Sequence, residues 1–184
     1  MDALEFLLTR RSRPAKLLKA PAPGREELLK LLTAAARVPD HGKLEPWRFV
    51  VIEGAGRERF AKAIRARGAE TGQDPDKGAL AFEQAPLAVA VIGVPRQSEK
   101  APAIEQTLSA GAATLSLVNA ALAAGWGASW LTGWPAYDHD LLAAELGLGA
   151  DEWLAGFVYI GTCEATPPER PRPDVPALVT WLDG

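Results

Sequence analysis

The run Arg10-Arg11-Ser12-Arg13 is the clearest anion-binding pattern in the chain. A planar guanidinium meets a phosphate through two parallel hydrogen bonds, and a serine hydroxyl adds a further donor. The same run also reads as a solvated basic corner that satisfies the last carbonyls of a helix. Gly54-Ala55-Gly56-Arg57-Glu58-Arg59 follows an apolar run and opens a helical pattern, as a dinucleotide-binding loop does. Arg59 stands where the third glycine of that fingerprint belongs, so a plain turn is expected. His41, in Pro39-Asp40-His41-Gly42, is held between prolines and is placed to donate to a ligand. His139, between Asp138 and Asp140, reads as a helix-start residue. Trp126, Trp130 and Trp134 recur every four residues beside glycines, which suits either a core or a flat conjugated ligand. No nucleophile elbow, Walker loop or H-E-x-x-H is present. A protein without acid–base machinery of its own fits chemistry carried by a redox cofactor.

These groups must be positioned by elements that the hydrophobic pattern outlines. A short helix is expected over residues 2–9, with Leu4, Leu7 and Leu8 on one face. A second runs from about Arg25 to Arg37, with Glu26 and Glu27 in its first turn, where the helix dipole favours anions. Arg48–Glu53 is expected as a strand and Arg57–Arg67 as a helix. Residues 68–84, polar and glycine-bearing, are expected to form a mobile excursion. Leu87–Val94 is a continuous apolar run of the kind buried on both faces. Pro102 opens a long helix to about Ala124 that is rich in Ala, Ser and Gly, so another helix can approach it closely. Ala128–Thr132 and Leu154–Gly161 are expected strands, with a helix over Asp138–Leu146 between them. The proline-rich tail from Thr166 excludes a central strand and reads as an extended arm to Ala177–Leu182. Helices and strands mix without βαβ alternation, which points to an α+β fold.

With 184 residues the chain is expected to form a single domain, residues 1–184. Its 48% hydrophobic and 23% charged composition excludes a disordered chain or a coiled-coil rod. A net charge of −3 argues against nucleic acid as the main partner. One cysteine, Cys163, excludes an intrachain disulfide and CxxC metal or redox sites. Asp2 and Glu5 ahead of the basic run reverse the order of a signal peptide, so a cytoplasmic location is expected. The uncharged stretch Gln106–Tyr137 is broken by Gly125, Gly127, Gly133 and Pro135, and reads as a buried helix and strand rather than a membrane span.

Several short motifs, in order and nearly end to end, then carry a resemblance. They are Arg10-Arg11-Ser12, Arg37-Val38-Pro39-Asp40-His41, Glu45-Pro46-Trp47-Arg48-Phe49 and Gly56-Arg57-Glu58-Arg59-Phe60. Glu105-Gln106 with Ser109-Ala110-Gly111, Gly125-Trp126-Gly127 and Gly156-Phe157 to Gly161-Thr162 complete them. The chain resembles the nitroreductase family of flavoproteins, in its compact branch.

The resemblance implies an α+β fold with a central, mostly antiparallel sheet flanked by helices, assembled as an intertwined homodimer with FMN at the interface. It implies an FMN-dependent NAD(P)H oxidoreductase that passes hydride to a nitroaromatic, quinone or similar acceptor in a ping-pong cycle. Arg10, Arg11 and Ser12 match the first FMN-contacting segment. Arg37 and His41 match contacts made across the dimer, and Trp130, Leu131 and Thr132 match a third FMN segment. Ala120, Ala121, Leu122, Ala123, Ala124 and Gly125 match the stretch assigned to NADH or NADPH. No metal is implied. Lys43 stands about where most relatives carry an asparagine, and Glu45 replaces their glutamine. The alternatives are an FMN-binding module that stores, delivers or senses flavin, and a non-flavin interaction domain.

Overall fold

The computed structural model describes residues 2–165 and 167–182; Met1, Thr166 (the expected start of the arm), Asp183 and Gly184 lie outside the described residues. Four strands form its sheet: β1 (Trp47–Glu53), β2 (Leu87–Gly93), β3 (Gly127–Leu131) and β4 (Trp153–Gly161). Their order is β1-β2-β4-β3, and every neighbouring pair is antiparallel. Six helices surround the sheet: α1 (Ala3–Thr9), α2 (Arg25–Ala35), α3 (Ala55–Thr71), α4 (Pro75–Gln84), α5 (Ala103–Ala123) and α6 (His139–Leu146). The fold is α+β, as the mixed pattern predicts. Among the described residues no helix is long and apolar enough to cross a membrane.

The unbroken apolar run of β2 has a direct cause, since all seven of its residues are buried. Ala88, Ala90 and Ile92 face one core layer, with Phe60, Ile64, Phe82, Phe157 and Tyr159. Leu87, Val89 and Val91 face the other, with Leu28, Leu31, Leu117, Val118, Val158 and Ile160. Phe82 is the hub of the first layer. Its ring meets Phe60 edge-on at 4.8 Å and Phe157 at 4.9 Å, an arrangement that the ring quadrupoles favour.

Residues 68–84 depart from expectation: they are the end of α3 and the whole of α4, not a mobile excursion. Asp74 caps α4, accepting from the amides of Asp76 and Lys77 at 3.1 Å each, and Pro75 takes the first helical position. Ala79 and Phe82 bury one face while the rest stays polar. The glycines that look like flexibility serve close approach. A Cβ at Gly68 would sit 3.0 Å from Pro75 Cα, and one at Gly78 would sit 2.8 Å from Ile64 Cγ2. Arg57, the arginine of the Gly54–Arg59 turn, donates to Phe82 O (2.8 Å) and Ala85 O (2.7 Å) at the end of α4. That turn is therefore structural.

A pair of charges ties β1 to the loop before β4. Arg48 donates from Nε to Glu152 Oε1 at 2.9 Å and from Nη2 to Oε2 at 2.6 Å. The hydrogen bonds from Arg48 hold the Glu152 carboxyl below its usual range, and the Gly149 amide adds to this. A depressed carboxyl stabilises the fold above its unfolded pKa and ceases to do so as pH falls through the folded one. Glu152→Gln is expected to cost about 1 kcal/mol at pH 7, the scale of a partly exposed bidentate pair. The gap should close below about pH 4, where the wild-type carboxyl also takes up a proton. Urea melts of both proteins at pH 7 and pH 3 check this, and an equal gap at both would refute it.

Candidate functional site

The Arg10–Arg13 segment leaves α1 and runs along the sheet edge, where Arg13 N donates to Ala128 O of β3 at 2.7 Å. This bond sets Arg10, Arg11 and Ser12 beside β3 residues Ser129, Trp130 and Leu131. The proline-rich arm completes the surround: Pro167, Arg170, Pro171, Arg172 and Pro173 close a cavity of about 710 Å³ with them. No carboxylate is among the residues lining it.

Four arginines line this cavity, and they could hold an anion. Arg10 Nε, Arg11 Nε and Ser129 Oγ are buried without a hydrogen-bond partner among the described residues. An unsatisfied buried donor costs about 1–3 kcal/mol, more when it is charged. Burial first, then the charges of Arg172, Arg11 and Arg13, push the Arg10 guanidinium below its ordinary pKa. The clustered positive charges thus work against one another. Arg10 Nη2 donates to Ser12 Oγ at 3.0 Å, which fixes hydroxyl and guanidinium together. Arg13 Nη1 turns to Arg11 O (3.5 Å), and the last turn of α1 is capped by backbone, Arg10 N donating to Phe6 O at 2.8 Å, which leaves the guanidinium groups off the helix carbonyls.

Trp130 and Leu131, 39% and 40% exposed, supply the apolar part of the lining. Trp130 is fixed by a bond from Nε1 to Ala155 O at 3.1 Å. The other two tryptophans do different work. Trp126 Nε1 donates to Glu27 Oε1 of α2 (2.8 Å), and Trp134 Nε1 donates to Asp74 O before α4 (3.0 Å).

Arg10, Arg11, Ser12, Trp130 and Leu131 therefore meet in one cavity, and Thr132 follows them, exposed, just past β3. Leu122, Ala123 and Gly125 line an adjoining cavity of about 720 Å³ that shares Arg10 and Arg11. Ala121 is fully buried in the helical layer, so its side chain contacts core and not ligand; Ala120 packs on the same layer, and Ala124 caps α5. Arg37 and His41 lie elsewhere on this chain, on the loop between α2 and β1, and do not line either cavity. His41 Nδ1 is 2.6 Å from Glu105 Oε2 at the start of α5. The loop is tightly set: Asp40 accepts from the amides of Leu44 and Glu45 at 3.0 and 2.8 Å, and Ser109 Oγ donates to Pro39 O at 2.7 Å. Lys43 and Glu45 hold left-handed backbone, at φ 56° and 48°. Lysine and glutamate adopt that conformation less readily than asparagine or glycine do, so both positions carry strain. Arg170 and Arg172 escape sequence reasoning because proline neighbours mark them only as arm; their signal was the alternation Arg170-Pro171-Arg172-Pro173.

The Nitroreductase family profile matches residues 7–162. The chain belongs to the Nitroreductase family. It is 39% identical over 165 residues to the Escherichia coli (strain K12) protein named "Putative NAD(P)H nitroreductase YdjA", covering 88% of each chain. A Nitroreductase-like family protein from Bacillus cereus superposes with a TM-score of 0.82 at 22% identity, covering 100% of this chain and 97% of that one. A variant of the FMN and NADPH-dependent nitroreductase NfnB from sphigopyxis sp. strain HMH gives 0.78 at 21% identity, with 100% of both chains covered. At these identities the two structures speak for a nitroreductase-like fold.

Proposed function

We propose that the chain is an FMN-dependent NAD(P)H oxidoreductase acting on nitroaromatics, quinones or similar acceptors in a ping-pong cycle. The observation that carries this reading is the 710 Å³ cavity, lined by four arginines together with Trp130 and Leu131. It fits a ligand with a phosphate tail and a flat conjugated head, and the unsatisfied Arg10 Nε, Arg11 Nε and Ser129 Oγ match the tail. When bound, FMN supplies the two-electron chemistry that takes hydride from NADH or NADPH and passes it to the acceptor. Arg10, Arg11, Ser12, Arg170 and Arg172 hold the phosphate by charge-assisted bonds. Trp130 and Leu131, with Thr132 beside them, form the apolar wall that keeps water from the head group. The adjoining cavity beside Leu122, Ala123 and Gly125 is the proposed approach for the nicotinamide cofactor.

The acting unit is proposed as a homodimer. Helix α1 buries none of its residues, leaving Leu4, Leu7 and Leu8 more than half exposed. Ile104, Leu108 and Leu115 of α5 are exposed along one face at helical spacing, and Gly111 lies in the same row. Pairing two copies covers these faces and lets Arg37 and His41 reach the partner's cofactor. The test is an absorption spectrum of purified protein reconstituted with FMN, followed by anaerobic titration with NADH and NADPH, and light scattering. A bound visible chromophore, bleaching by one nicotinamide and a dimeric mass are expected. Bleaching by dithionite alone would assign the chain to flavin storage or sensing instead, and a monomer holding stoichiometric FMN would refute the interface.

A further inference from the structure

Two arginines of the proposed phosphate site, Arg11 and Arg172, have partners within the arm. Arg11 Nη2 donates to Pro168 O at 2.9 Å. Arg172 Nη2 pairs with Glu169 Oε1 at 2.8 Å, and the Arg170 amide donates to the same oxygen at 2.9 Å. Glu169 thus brings a carboxylate to the rim of a cavity whose lining has none. The Arg170 amide, with Arg172 and Arg11, holds that carboxyl below its usual range. Its side chain is 62% exposed, so leaving Arg172 for water costs it little burial.

We infer that Glu169 is an internal competitor for Arg172, so that the arm closes the cavity and also sets how tightly a phosphomonoester is held there. This rests on the cavity being the phosphate site proposed above. A phosphate at neutral pH carries between one and two negative charges and three acceptor oxygens, against one charge on a carboxylate. It takes the guanidinium, and Glu169 turns out to solvent. The displaced carboxylate then stays near the phosphate and repels it, so competition and repulsion both weaken binding. Neither effect reaches a ligand without the phosphate.

The experiment is a fluorescence titration of the full chain with FMN and, separately, with riboflavin. Glu169→Gln is expected to tighten FMN about two- to fivefold, the scale of a solvent-exposed ion pair, and to leave riboflavin unchanged. In an Arg172→Gln background the same substitution is expected to give a smaller gain, from relief of the repulsion alone. Thermal melts of the apo proteins, with Glu169→Ala as a second variant, exclude an effect on folding. An unchanged FMN affinity in Glu169→Gln, an equal gain for riboflavin, or a full gain without Arg172 would each overturn the competition. Wild-type protein that binds FMN no better than riboflavin would overturn the phosphate site itself.

Discussion

Gly156→Ala is expected to destabilise the fold by about 2–4 kcal/mol and to displace Trp130 from the cavity wall. Gly156 sits at a β-bulge, where the register with β2 slips between Val91 and Ile92. The indole of Trp130 lies over it, so an added Cβ would collide with Trp130 Nε1. The ring cannot slide aside cheaply, because Nε1 is bonded to Ala155 O at 3.1 Å. Forcing an atom into packed space costs about 1–3 kcal/mol, and losing that bond adds about 1 kcal/mol. Denaturant melts give the first effect, and loss of FMN and riboflavin binding alike gives the second. Wild-type stability with unaltered flavin affinity would show that the contact between Trp130 and the bulge does not matter.

Arg10→Ala should separate stability from binding. FMN affinity is expected to fall by about 1.5–3 kcal/mol, roughly ten- to 150-fold, as for a charged hydrogen-bond donor. Riboflavin affinity should change little, since the lost group is the one proposed to hold the phosphate. The apo protein should hold or gain stability, because burial and the neighbouring Arg172, Arg11 and Arg13 already oppose the Arg10 charge. Parallel FMN and riboflavin titrations with an apo thermal melt test all three signs. Unchanged FMN affinity would remove Arg10 from the site.

The strands were largely readable because burial on two faces leaves a run of apolar residues no alternative. Leu87–Gly93 is the clear case. Helix α6 was readable from its cap: Asp138 accepts from Leu141 N at 3.0 Å, and His139 opens the helix. Helix α4 was not, since only Ala79 and Phe82 are fully buried on it and its glycines mimic a loop. The bulge at Gly156 was hidden for a related reason. It resets the alternation of β4, so that Leu154 and Phe157 share one core layer although they are three residues apart. At the candidate site, Arg10 and Arg11 announced themselves by clustering, whereas Arg172 joins them only when the arm returns beside residue 11. The partnership of His41 with Glu105 was equally invisible, being set by how the loop before β1 folds onto α5.

The contact between Arg11 and Pro168 joins residues 157 positions apart. A growing chain emerging from the ribosome therefore exposes its first arginines long before the arm that meets them has been made. The proposed phosphate grip is therefore complete only once the arm has been made, and a product truncated before residue 168 keeps every strand of the sheet yet lacks Arg170 and Arg172.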